Sequence, residues 1–352
     1  MARISHIQTD FLSGELSPIL KGRVDTERYA NALGTCENFI IKPHGGVERR
    51  GGTHYVAEVK TSTAVTRLIR FEFNRAQSYV LEFGNLYIRF FTQNGQITGS
   101  IVTSVIVTVG GSGYTSTPTV TFSAPPSGTT ATGTATVVSN VVTVVSITNA
   151  GTGYTSAPTI TFSGGGGTAA AATAIIAYEI VSPWTTAQLD EIQVAQSADT
   201  MYLVHPDVSP RKLVRTSNTS WALTAPTFTA PKWNATDKYP RAITFHQQRL
   251  WFGGTTAKPQ SIFGSKTDDF ENFTVGTNDA DALEYAIASY KVNQVQWMSS
   301  TEVLLVGTAG GEFKVSGGNA ALTPSNVQVT RQTSYGGKNV QPRHVGYQTL
   351  FI

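Results

Sequence analysis

The sequence predicts an all-β fold of propeller-like repeated sheets, with an inserted small β domain and a short helix near the N-terminus. Three observations lead there. The 352 residues include 33 Gly and 15 Pro and only 14% charged residues, a composition of strands and turns that excludes an all-helical protein. Short apolar strands recur at near-regular intervals, and a charge-free block carries an internal duplication.

The block is delimited by charge. Residues 1–99 hold 12 Lys+Arg and 9 Asp+Glu, residues 179–352 hold 14 and 14, and the 79 residues of 100–178 hold none. Within it, GSGYTSTPTVTFS at 111–123 and GTGYTSAPTITFS at 151–163 match at 10 of 13 positions, with an offset of 40 residues. Each copy reads as a Gly-x-Gly-Tyr turn, a proline (Pro118, Pro158) and an alternating strand, Thr119 to Phe122 or Thr159 to Phe162. The glycines at 164–167 read as a flexible connection, because no capped helix follows them as a phosphate loop requires.

Outside the block, four apolar stretches share one grammar: 79–83, 201–205, 249–253 and 303–307. Taking Leu81, Leu203, Trp251 and Leu305 as equivalents, the intervals are 122, 48 and 54 residues, the first falling to 43 once the block is set aside. That makes 100–178 an insertion whose deletion should leave assembly intact, and the remaining spacing is that of propeller blades. A β-sandwich with evenly spaced strands is the alternative. A fifth equivalent at 348–352 arrives as the chain stops, so the propeller reads as truncated at Ile352. Open sheet edges there would give poor solubility.

Three regions result: 1–99, an N-terminal docking segment with the first strand group; 100–178, the inserted duplicated domain; and 179–352, propeller-like blades incomplete at the C-terminus. Near the start, Asp25 is placed to cap a short helix running to about Leu33, ended by Gly34. Residues 38–42 form an extended run closed by Pro43, His44, Gly45 and Gly46, and Arg49 and Arg50 stand before Gly51 and Gly52. The single cysteine, Cys36, excludes a disulfide framework and reads as a small buried hydrophobe.

No chemical motif assembles. The six histidines lack zinc-ligand spacing, Gly336-Gly337-Lys338 lacks the upstream glycine of a Walker loop, and Gly110 to Tyr114 lacks the last glycine of a nucleophile elbow. Asp279 to Glu284 has calcium-ligand residue types without the turn glycine of an EF-hand. The turn at 265–273 is similar to the aspartate-box turns of sialidase propellers but lacks their glycine; a structural turn with Asp268 bonding its own backbone fits better. Tyr114 and Tyr154 are candidates for surface recognition of sugar, against the reading that they pack over their own turns. No apolar run is long enough to span a bilayer and residues 1–18 lack a leader's apolar core, which reads as a soluble, unexported protein.

The outer segments nevertheless carry a pattern: FLSGELSP at 11–18, GRVD at 22–25 with Tyr29, ENFIIKPHGGVERR at 37–50, YPRAITFHQQRL at 239–250, the 265–273 turn, and LTP at 322–324. This pattern resembles the tail nozzle, or tail tubular protein B, family of short-tailed bacteriophages. Gly51 departs from it, standing where the family tends to place proline, and family members continue past Ile352.

The resemblance implies a structural virion protein without enzymatic activity or cofactor. It would assemble in the host cytoplasm into a homo-oligomeric ring, a hexamer, that joins a tail adaptor and passes double-stranded DNA without sequence specificity. Arg49, Arg50, Lys42 and Arg23 are then candidate DNA-channel or subunit contacts. Balanced charge suits passage, since a wall that neutralised many phosphates would hold the duplex. The competing class is a glycan-binding tail adhesin or glycosidase propeller acting on host surface polysaccharide.

Overall fold

A computed structural model describes residues 7–288, 293–346 and 348–352. His6 and the rest of the first six residues lie outside them. The structure is all-β, 47% strand and 4% helical, with many small antiparallel sheets, none of them closed. Two compact units divide the chain, Met1–Val56 and Ala57–Ile352.

The first unit has little interior. Gly45 is the one buried residue among 7–56. A two-residue parallel pairing joins Gly14–Glu15 to Ala32–Leu33, and a hairpin pairs Phe39–Ile41 with Val47–Arg49. Gly45 is required at the hairpin turn, with φ at +95° and Asp10 Cβ only 2.5 Å from where a Cβ would sit. The helix expected from Asp25 to Leu33 is absent. A three-residue 3-10 turn, Glu27–Tyr29, takes its place. Asp25 is engaged instead with Arg23, whose Nε and Nη2 donate to its carboxylate at 2.8 and 2.7 Å. Ala32 and Leu33 are drawn into the strand pairing. Cys36 is half-buried rather than buried, its backbone N–H donating to Glu15 Oε2 at 2.8 Å.

The second unit contains four antiparallel meanders in chain order. The first sheet joins Arg67–Glu72, Ser78–Gly84, Tyr87–Thr92 and, after the charge-free block, Glu179–Val181. The second joins Gln193–Ser197, Thr200–His205, Val208–Ser217 and Ser220–Thr224. The third joins Ala242–His246, Arg249–Gly253, Ser261–Gly264 and Leu283–Ala286. The fourth joins Val295–Ser300, Leu304–Thr308, Gly311–Ser316 and Gln328–Thr333. A hairpin of Arg343–Val345 and Gln348–Leu350 follows. Leu81, Leu203, Trp251 and Leu305 each lie on the second strand of a different sheet.

Side-chain alternation decides how these sheets pack. Met201, Leu203 and Leu213 of the second sheet face a core shared with Phe71, Leu81, Phe83 and Phe90 of the first. Their neighbours Tyr202 and Val204 face the opposite way, into a core with Ile243, Leu250, Phe252 and Phe263 of the third. The third sheet repeats the division, sending Ala242, Trp251 and Ile262 against Val295, Met298, Leu304 and Val306 of the fourth. Three cores therefore lie in series, unlike the single core of a two-layer sandwich. The two middle sheets are buried on both faces, which is why their second strands read as continuous apolar runs. The first strands of the second, third and fourth sheets also contact one another in sequence.

The charge-free block builds its own core. Ser104–Ser112 pairs with Thr168–Ile175, and a four-stranded sheet runs Val141–Asn149, Thr132–Val138, Thr119–Phe122, Ile160–Ser163. The equivalent strands of the two copies pair with each other, and Thr121 lies opposite its own equivalent, Thr161. An approximate two-fold axis thus passes through that pair. On either side of the block, Arg89 pairs in register with Glu179.

Candidate interaction site

The hairpin end in the first unit brings together two of the four candidate cations. Asn38, Arg49, Arg50, Gly51 and Gly52 line an open cavity of about 540 Å³. Asn38 adopts φ of +63°, and its Oδ1 accepts a 2.7 Å bond from Arg50 Nε while Arg50 N–H closes onto Asn38 O at 2.9 Å. Arg50 is thereby oriented. Among the described residues the Arg49 guanidinium has no hydrogen bond or ion pair.

The other two cations are elsewhere. Lys42 stands beside the hairpin turn, paired with Glu48, and Arg23 is paired with Asp25 in a separate turn. Both pairs are exposed; the Arg23 guanidinium holds the Asp25 carboxyl below its ordinary value. Surface pairs of this kind add little stability, and they leave less charge for a partner.

The tyrosines are not a recognition surface. Tyr114 and Tyr154 are 3% and 4% exposed. Tyr154 Oη accepts from Ala131 N–H at 2.8 Å and donates to Ser123 O at 3.2 Å. Tyr114 lies against the glycine run, where a Cβ on Gly167 would sit 2.4 Å from the ring. The run at 164–167 is accordingly a packed lid over Tyr114 rather than a loose connection, its carbonyl at Gly165 accepting from Thr115 N–H at 2.9 Å. Each tyrosine packs under the loop that follows the other copy's strand, so neither copy completes its core alone.

Several organised polar groups had no signal in the sequence. Arg89, 1% exposed, donates from Nε to Glu179 Oε2 at 3.0 Å, and Lys60 pairs with the other oxygen at 2.5 Å. Arg249 donates to the carbonyls of Ser265 and Asp281 at 2.6 Å each, tying down the 265–281 loop. Near that loop, Tyr202 Oη donates to Glu271 at 2.9 Å, and burial with this carboxylate raises the phenol's pKa.

His246, 4% exposed, shares a 2.9 Å bond with Ser300 through Nδ1, and burial pushes its pKa down to about 4. The unfolded chain binds this proton near pH 6.5 and the folded chain does not, so stability is full above that pH and falls as pH drops toward 4. We expect a loss on the order of 2 kcal/mol from this group across that window. Denaturant midpoints at pH 7 and 4.5 check it, and His246→Asn should flatten the change.

No group of three or more His, Cys, Asp or Glu among the described residues is placed to hold a metal ion, and no described helix is long and apolar enough to cross a membrane. A scan against models of known protein families finds no match to this chain, and a search of curated proteins finds none.

Proposed function

We propose that the chain is a structural subunit of a virion, forming with identical copies the tail nozzle ring of a short-tailed bacteriophage through which the genome is ejected. The observation that carries an assembly role is the first unit. Its residues bury almost nothing within the chain, while Ile7, Ile19, Val24, Phe39, Ile40 and Tyr55 stand exposed. An apolar segment so poorly covered needs a partner surface. The motifs at 11–18 and 37–50 that resemble the nozzle family lie in this unit.

The second unit supplies a rigid platform. Its sheets stack in series with first strands in contact, and His344 of the last hairpin shares a 2.9 Å bond with Ser299 on the fourth sheet's first strand. This supports a propeller-like arrangement around a common axis. Gln193, Gln296 and Asn339 bond across the space between the first strands. In this reading duplex DNA in transit runs between copies, inside the ring, and Arg49 with the Asn38-oriented Arg50 is the contact offered to phosphate or to a neighbouring copy.

A second reading is contact with host surface glycan through the inserted domain. Its exposed sheet face carries Thr119, Thr121, Thr134, Thr136 and Thr161 and no charge, which suits a neutral polymer better than an ionic one.

Native mass spectrometry of the chain with its tail adaptor separates these readings. The nozzle proposal expects closed homo-oligomers bound to adaptor; persistent monomers with cleavage of surface polysaccharide would contradict it. If Arg49 and Arg50 meet phosphate, Arg49→Gln with Arg50→Gln should lower the salt-dependence slope of duplex retention by about two in log-log terms. An unchanged slope would assign them to the subunit contact.

A further inference from the structure

Two exposed patches, one in each unit, carry charge that is left without a counter-charge. At the hairpin end of the first unit, Arg49 lines the open cavity of about 540 Å³ with no hydrogen bond or ion pair among the described residues. The Arg50 guanidinium is bonded only to uncharged groups, Asn38 Oδ1 and the Gly51 carbonyl. Glu48, the acid nearest in sequence, is already paired with Lys42. Gly51 and Gly52 leave the mouth clear, with nothing within 4 Å of where a Cβ would sit on either. Phe39, opposite Arg49 in the hairpin register, stands exposed with Ile40 and Val47.

The complementary patch is on the loop that joins the last two strands of the third sheet. Asp268, Asp269 and Asp279 are exposed there, and their carboxylates make no hydrogen bond or ion pair among the described residues. Thr267 N–H donates to Ala280 O at 3.1 Å, which brings the two stretches together. The cations of this loop are committed. Lys266 pairs with Asp281 at 3.2 Å, and Arg249, buried beneath, donates to the backbone carbonyls of Ser265, Asp279 and Asp281. Glu271 is already met by Lys212. Four aspartates thus face two cations, and Val275 of the same loop is an exposed apolar neighbour.

We propose that these two patches meet between copies, Arg49 and Arg50 of one chain docking on the 268–279 loop of the next. The contact rests on the ring reading above and gives that ring its joint. A closed ring needs a head-to-tail interface of two different, fitting patches. Two hairpin ends face to face would instead set guanidinium against guanidinium. The planar guanidinium takes a carboxylate by two parallel bonds, and Phe39, Ile40, Val47 and Val275 supply the apolar area that such an interface covers.

Charge reversal in trans tests the contact. One full-length variant carries Arg49→Glu with Arg50→Glu, the other Asp269→Lys with Asp279→Lys, and circular dichroism checks each for the native fold. By native mass spectrometry, each variant alone sets like charges against one another, and its half-assembly concentration should rise at least tenfold over the unmodified chain. Mixed in equal amounts, the two should recover assemblies in which they alternate in equal number, because every contact then joins opposite charges. A contact within one chain, or one with DNA or the adaptor, cannot produce that recovery. If the lysine variant loses its fold, Asp269→Asn with Asp279→Asn takes its place and should raise the half-assembly concentration at least threefold. Unmodified rings that neither variant disturbs, a mixture that does not recover, or an unchanged value in the asparagine variant would overturn this contact and leave the ring reading standing. Absence of rings in the unmodified chain would remove both.

Discussion

Trp221→Ala is expected to lower stability by about 3 to 5 kcal/mol, the range for deleting a large aromatic from a packed core. The Trp221 ring meets Phe71 and Tyr79 edge-to-face at 4.8 and 5.1 Å and lies tilted against Phe90 at 4.5 Å, so its removal strips contacts from three aromatics at once. The effect should be non-additive with Phe90→Ala, which shares the cavity, and additive with Trp251→Ala, which lies in the core between the third and fourth sheets. Denaturant unfolding of the singles and doubles measures both. Strong coupling between Trp221 and Trp251 would mean one merged core, against the series of three.

Gly153→Ala should unfold the inserted domain while sparing the stacked sheets. Gly153 has φ of +78°, and an added Cβ would lie 1.8 Å from Ser127 O, a backbone atom that cannot move aside without shifting the 123–131 loop. Left-handed strain and the clash together place the cost at roughly 4 kcal/mol or more, beyond what a small sheet domain tolerates. The body should survive because Tyr178 N–H donates to Ile97 O at 2.7 Å and the first sheet closes through Arg89 and Glu179 regardless of what lies between. Hydrogen exchange should show lost protection in 100–178 and native protection in 193–333. Equal loss in both would make the insertion part of the main fold.

The all-β class and the second strands were legible because burial on both faces forces an unbroken apolar run, as in Met201 to Val204. First strands were not, since Gln193 to Ser197 mixes amides with Ala and Val and is defined only by neighbours distant in sequence. The duplication was read directly, but not its interlocking, because a Gly-x-Gly-Tyr turn looks the same whether the tyrosine covers its own loop or its twin's. Asp25 misled for a local reason: a cap signal was overridden by Arg23 two residues away. The Gln193 cluster had no sequence signal, because Gln193 meets Gln296 and Asn339 across 103 and 146 residues. Arg49 and Arg50 were found as a pair, whereas only coordinates distinguish the free guanidinium from the oriented one.

Electron cryomicroscopy of the assembled chain tests the central claim most directly. The account predicts a closed ring of identical copies with an open lumen, each copy showing its sheets radiating in chain order from one axis and its first unit lying against a neighbour. Isolated copies, or a subunit whose four apolar second strands pair into two facing layers, would contradict it.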